Sequence, residues 1–201
     1  MKSAGNRALL SVYNKKGIVE CARFLSGIGL DLVSSGGTAS VIKEANLPVR
    51  EVSEITGFPE LLEGRVKTLH PVVHSGVLAR REREDDMEAI SGHGIKPVDW
   101  VVVNLYPFEE ELSRPKSESE QLEFIDIGGP TLLRAAAKNF RSVVVVIDPE
   151  DYAPLQQEWR RYGGISEETR RGLAQKVFRR TAAYDAAVAD YFSSRIEAGE
   201  R

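Results

Sequence analysis

The chain has 201 residues, enough for one α/β domain with a helical addition, and its apolar (42%) and charged (28%) fractions are those of a soluble globule. Lys and Arg number 27 against 30 Asp and Glu, giving a formal net charge of −3 that excludes the concentrated basic face of a nucleic-acid binder; any positive potential must be local. A single cysteine, Cys21, excludes an internal disulfide and fits a reducing compartment.

Residues 1–7 lack the apolar core of a signal peptide and no segment reaches transmembrane length, so the expected location is cytoplasmic and no membrane partner is expected. Ala8-Leu9-Leu10-Ser11-Val12 reads as a buried strand. Residues 17–28 read as a helix in which Ile18, Cys21, Ala22 and Leu25 recur at helical spacing before Gly29 stops it. A second strand is expected at 30–33, and residues 38–45 form a second helix ended by Asn46 and Pro48. Trp100-Val101-Val102-Val103 and Val143-Val144-Val145-Val146-Ile147 are continuously apolar and β-branched rather than alternating, the pattern of strands buried on both faces. The fold class is therefore α/β: a mostly parallel sheet flanked by helices on both faces, with residues 1–150 as its core and 151–201 as a C-terminal helical extension. Residues 52–83 show little periodicity and read as a functional irregular stretch, 113–120 as a surface loop, and the region from Ser166 as one or two long helices capped by that serine.

Three segments carry polar chemistry. In Ser34-Ser35-Gly36-Gly37-Thr38 the glycines let backbone approach an anion, the following helix supplies free amides, and Ser35 and Thr38 add hydroxyls; a plain strand-to-helix turn capped by Thr38 is the alternative. In a doubly wound sheet Ser11, Asn14 and Lys15 emerge at the same edge. In Gly64-Arg65-Val66-Lys67-Thr68-Leu69-His70-Pro71, two cations sit among apolar neighbours, where a buried ammonium without an anion is costly; a solvated basic loop is the alternative. In the third, Asp126-Ile127-Gly128-Gly129-Pro130-Thr131 precedes an alanine-rich helix whose Thr131, Arg134 and Lys138 share one stripe, although Lys138 could simply complement the helix dipole. His70 and His74 have metal-pair spacing, but Pro71 intervenes and no third ligand is evident, so no metal is expected; His70 remains a candidate donor and His93 an exposed turn residue.

Together with Ser11-Val12-Tyr13-Asn14-Lys15 and Asn104-Leu105-Tyr106-Pro107-Phe108, these segments resemble, in order from residue 8 to 192, the IMP cyclohydrolase part of bifunctional purine biosynthesis proteins. The resemblance implies a methylglyoxal synthase-like fold, a homodimer, no cofactor, and closure of 5-formamidoimidazole-4-carboxamide ribotide to IMP and water. It implies Lys138 as proton donor and acceptor, Lys67 as transition-state stabiliser with Thr68 beside it, and Asp126 and Tyr106 as orienting groups. Ser11, Tyr13, Asn14, Lys15, Ser35, Gly36, Gly37 and Thr38 would hold the ribotide phosphate side; Arg65, Asn104, Ile127 and Gly128 would position the base. Family members continue into a formyl-transferring domain, so this chain is either an excised domain or a stand-alone cyclohydrolase. A methylglyoxal synthase-like lyase and a nucleotide-sensing module that binds IMP without turnover stay open beside it.

Overall fold

The computed structural model describes residues 6–106, 108 and 117–197. In chain order it contains β1 (Arg7–Val12), α1 (Ile18–Gly27), β2 (Asp31–Ser34), α2 (Gly36–Glu44), β3 (Arg50–Glu51), α3 (Val52–Thr56), α4 (Pro71–Leu78), α5 (Glu84–Gly92) and β4 (Val98–Asn104). After these come α6 (Glu118–Leu122), α7 (Gly128–Lys138), β5 (Val144–Val146), α8 (Tyr152–Tyr162) and α9 (Glu167–Glu197). The five strands form one parallel sheet in the order β3-β2-β1-β4-β5. Leu9 registers with Val33 on one side and Val101 on the other, and Val101 with Val145.

Successive strand residues point to opposite faces, and Trp100, Val101, Val102 and Val103 are all buried, so both faces of β4 are covered. On one face Phe24 of α1 and Trp159 of α8 meet Trp100 edge-on at 6.0 and 6.2 Å. Helix α7 lies against β4 and β5, and α9 packs on α7 and β5. Cys21 is a buried core residue, and burial pushes its thiol up to about 12.

The stretch 52–83 is more regular than its periodicity implies: α3 closes a capping box between Glu51 and Glu54, and α4 begins with Pro71 at its first turn. His70 is the cap of α4, its Nδ1 accepting from Val72 N at 3.2 Å, which gives its ring a structural task instead of a place in the cavity described below. His93 is exposed at the end of α5, as expected. Of the expected surface loop at 113–120, residues 113–116 lie outside the described residues, as does Pro107, and Ser117 caps α6. From Glu167 the described residues form the single helix α9. Ser166 Oγ accepts from Thr169 N at 3.1 Å, and Gly172 faces open space, where its small helical penalty leaves α9 continuous.

Gly76 sets how closely α4 can lie beside the sheet. A Cβ there would stand 2.8 Å from the Lys96 carbonyl and 3.2 Å from Val98 Cγ2. Gly76→Ala should cost about 1–3 kcal/mol, read as a lower urea midpoint with an unchanged slope.

Candidate active site

Strand order reverses at β1, whose neighbours β2 and β4 run their connections in opposite directions, and the carboxyl ends of strands at such a point form a crevice. A cavity of about 570 Å³ lies there. Its walls draw on Ser11, Tyr13 and Lys15 after β1, on Ser35, Gly36, Gly37 and Thr38 at the start of α2, and on Arg65, Lys67 and Thr68. Asn104 and Tyr106 after β4, and Asp126, Ile127 and Gly128 at the start of α7, complete it.

Close approach at four glycines ties these segments together. Gly36 has φ +51, which a side chain rarely adopts, and a Cβ on it would stand 3.2 Å from Lys67 Nζ. Gly64 has φ +89, and its Cβ would meet the same ammonium at 2.8 Å. A Cβ on Gly128 would touch Thr68 Oγ1 at 3.0 Å, and one on Gly129 would lie 2.9 Å from the Asp126 carboxyl carbon. The Lys67 ammonium therefore rests over the turn that opens α2, and Thr68 over the turn that opens α7.

Charge in the cavity is arranged around these contacts. Lys67 Nζ is 3.3 Å from Glu60 Oε2, and Arg65 Nε is 3.4 Å from Glu123 Oε2, so each cation is held by a carboxylate at the rim. Lys15 donates to the Val12 and Tyr13 carbonyls, and burial holds its ammonium below the ordinary lysine range. An entering dianion would relieve that deficit. Asp126 Oδ1 accepts from Gly129 N at 2.8 Å; burial raises its carboxyl above 3.8, and that hydrogen bond opposes the rise. Tyr106 stacks against Tyr13 with ring centroids 4.9 Å apart at 51°.

The remaining polar residues differ in what their side chains touch. Thr38 is buried, and its hydroxyl accepts from Val12 N at 3.1 Å and donates to Val12 O at 3.0 Å, so it ties α2 to the end of β1. Ser35 makes no side-chain cap hydrogen bond, which leaves its hydroxyl available to a ligand. Asn104 Oδ1 accepts from Tyr13 N at 2.7 Å and Asn14 N at 2.9 Å while its Nδ2 donates to Asn14 O at 3.0 Å, so this side chain braces a loop. Asn14 lines the neighbouring cavity instead of this one.

Lys138 lies apart from the other expected site residues. It is exposed at the last turn of α7, ten residues and about 15 Å along the axis from Gly128, and it lies outside the cavity lining. Thr131, Arg134 and Lys138 share a stripe, and none of the three lines the cavity.

A family model described as MGS-like domain matches residues 17–131, more than half of the chain.

The chain belongs to the MGS-like domain family.

A second model, the AICARFT/IMPCHase bienzyme, matches residues 136–201. Among curated relatives, the bifunctional purine biosynthesis protein PurH of Aquifex aeolicus is 54% identical over 186 residues, covering 92% of this chain. That of Halalkalibacterium halodurans is 50% identical over 191 residues and 94% of the chain. The chain spans 37% of the length of either relative. The crystal structure of ForH is 36% identical with a TM-score of 0.83, covering 94% of this chain and 97% of that one. The resemblance read from the sequence motifs holds, and so does the parallel α/β fold of an MGS-like domain.

Several residues of this MGS-like domain's site escaped the sequence reading. Glu60 and Glu123 are rim partners of the two cations, and only their position in the same loops could have indicated them. Tyr184 of α9 is buried, its hydroxyl accepting from Asp126 N at 2.7 Å and donating to Phe124 O at 3.1 Å. Tyr184→Phe would leave the Asp126 amide without its partner, so stability should fall by about 1–2 kcal/mol in urea titrations. Turnover should fall several-fold as the Asp126 turn loosens.

Proposed function

We propose that the chain is an IMP cyclohydrolase that closes the pyrimidine ring of 5-formamido-1-(5-phospho-D-ribosyl)imidazole-4-carboxamide to give IMP and water. The observation that supports this most is that Lys67, Thr68 and Asp126 line one cavity together with the Ser35-Gly36-Gly37 turn and Lys15, the Lys67 ammonium lying against Gly36. Its family relatives are bifunctional purine biosynthesis proteins.

In the reaction the carboxamide nitrogen attacks the formamide carbon, a carbon–nitrogen bond forms, and the former formyl oxygen carries negative charge. One proton leaves the carboxamide nitrogen and one the formamide nitrogen, both pass to that oxygen, the carbon–oxygen bond breaks as the ring carbon–nitrogen double bond forms, and the oxygen departs as water. An amide nitrogen is a weak nucleophile, so holding the formyl group folded against it contributes much of the acceleration. Lys67, with Thr68 beside it, stabilises the oxyanion. The Asp126 carboxylate accepts from the carboxamide N–H and turns its lone pair toward the formyl carbon. The Ser35-Gly36-Gly37 backbone, the Ser35 hydroxyl and Lys15 grip the phosphate; Arg65, Ile127 and the Gly128 backbone border the base, with Tyr106 against its face. Asn104 and Thr38 act indirectly by fixing the two loops.

The finer assignments follow the same reading. Apolar side chains that α9 leaves exposed, Phe192 and Ile196, support a homodimer, which sedimentation velocity would detect. A cytoplasmic location is supported by the unpaired, buried Cys21. Among the described residues no helix is long and apolar enough to cross a membrane.

The deciding experiment incubates the purified chain with the formamido ribotide and follows purine absorbance. Absence of IMP, with dihydroxyacetone phosphate converted to methylglyoxal, would replace the proposal by a lyase; IMP binding without turnover would make the chain a sensor. Within the proposal, Ser35→Ala should raise KM for the ribotide by about tenfold with little change in kcat, because the phosphate is remote from the reacting atoms. A fall confined to kcat would contradict that placement.

A further inference from the structure

A second cavity, of about 980 Å³, opens on the other side of the β1 loop, over the carboxyl ends of β4 and β5. The wall between the two cavities is built from Tyr13, Lys15 and Asn104, which line both. On its outer side, Lys176, Arg179, Arg180 and Ala183 follow the i, i+3, i+4, i+7 spacing of one helical face, so α9 presents a continuous basic stripe to the opening.

Charges lining this cavity do not balance. Lys15, Lys176, Arg179 and Arg180 face a single lining carboxylate, Asp148, in a chain whose net formal charge is −3. Lys176 already has its anions, Asp148 at 3.0 Å and Asp151 at 2.8 Å. Among the described residues neither Arg179 nor Arg180 has an ion pair or hydrogen bond. Two adjacent guanidinium groups beside a low-dielectric wall focus positive potential into the opening, and their planar donor forks match phosphate oxygens. The floor is apolar, from Leu105 and Ile147, both buried core residues. Cations at the rim and an apolar floor together suit an organic phosphate of nucleotide size, since ligand pockets of this kind run from about 300 to 1,000 Å³.

We propose that this second cavity is a binding site for a nucleotide-sized phosphate ester, separate from the cyclohydrolase site, with Arg179 and Arg180 as the phosphate-holding groups. Lys15 belongs to both cavities, so a ligand in the second site draws on a cation that the first also uses. Occupancy of the second cavity therefore lowers affinity in the first, and the effect is reciprocal.

The test is isothermal titration of the full chain with ADP, in wild type, in an Arg179→Ala/Arg180→Ala double variant, and in Lys67→Ala. Alanine at two exposed helical positions keeps α9 intact, which circular dichroism would check. The expected result is saturable ADP binding that weakens by about tenfold or more in the double variant, persists in Lys67→Ala, and falls with added salt. Turnover of the ribotide without ADP should be the same in the double variant as in wild type. The proposal is overturned if ADP shows no saturable binding, or if binding is lost in Lys67→Ala and unchanged in the double variant, which would place ADP in the first cavity.

Discussion

Lys67→Ala is expected to reduce kcat for ring closure by on the order of 10²–10³-fold, with the fold intact and a much smaller change in KM. The ammonium sits where two glycine turns leave room for it, over Gly36 and Gly64, and its only ion pair among the described residues is with Glu60 at the rim. Its side chain is one-third exposed, so removing it leaves no buried charge unpaired and little core contact is lost. What is lost, on the proposed mechanism, is a donor to the oxygen that becomes negative in the transition state. Single-turnover rates with the formamido ribotide would check this, and wild-type turnover in the variant would remove Lys67 from the chemistry.

Asp126→Asn should lower kcat by about 10²-fold and reshape the pH dependence. Burial raises the carboxyl above 3.8 in the folded chain, so the acidic limb of kcat/KM in the native enzyme should lie above that of an ordinary aspartate, with activity lost as the carboxylate is protonated. In Asp126→Asn that limb should disappear. An unchanged limb would mean that another group produces it. The stability consequence has the opposite direction. Between 3.8 and the raised folded value the native state binds the additional proton, so the associated stabilisation is complete at lower pH and is lost as pH rises through that window. Urea titrations across the acid range should show this decline in wild type and not in the asparagine variant.

Sequence carried the sheet well because Trp100 to Val103 and Val143 to Ile147 are apolar on both faces, a pattern that only a covered parallel strand produces. It carried the three loops because glycine, hydroxyl and cation types cluster in them, and the structure brings those clusters to one cavity. The two-residue β3 was not visible, since so short a strand has no period, and α4 was hidden by a proline that is favourable at a first turn and unfavourable elsewhere. Thr38 and Asn104 were identified as site residues, but their direct partners turned out to be backbone groups of the β1 loop. Which acceptor a hydroxyl or amide finds is settled by tertiary packing. A helical stripe such as Thr131, Arg134 and Lys138 fixes which residues share a face, while distance along the axis sets how far each lies from the turn that opens the helix.

The bond from Asp126 N to the Tyr184 hydroxyl links the two segments that the family models match separately. The boundary between them falls inside α7, so a first segment without the second would lose part of that helix and β5 as well as the anchor of the Asp126 turn. Recombining halves from different relatives should work only when the incoming long helix carries a phenol at that depth. Inheritance of the proposed chemistry would thus be tied to a residue outside the cavity lining, and protection of the Asp126 amide against solvent exchange would report whether the graft has taken.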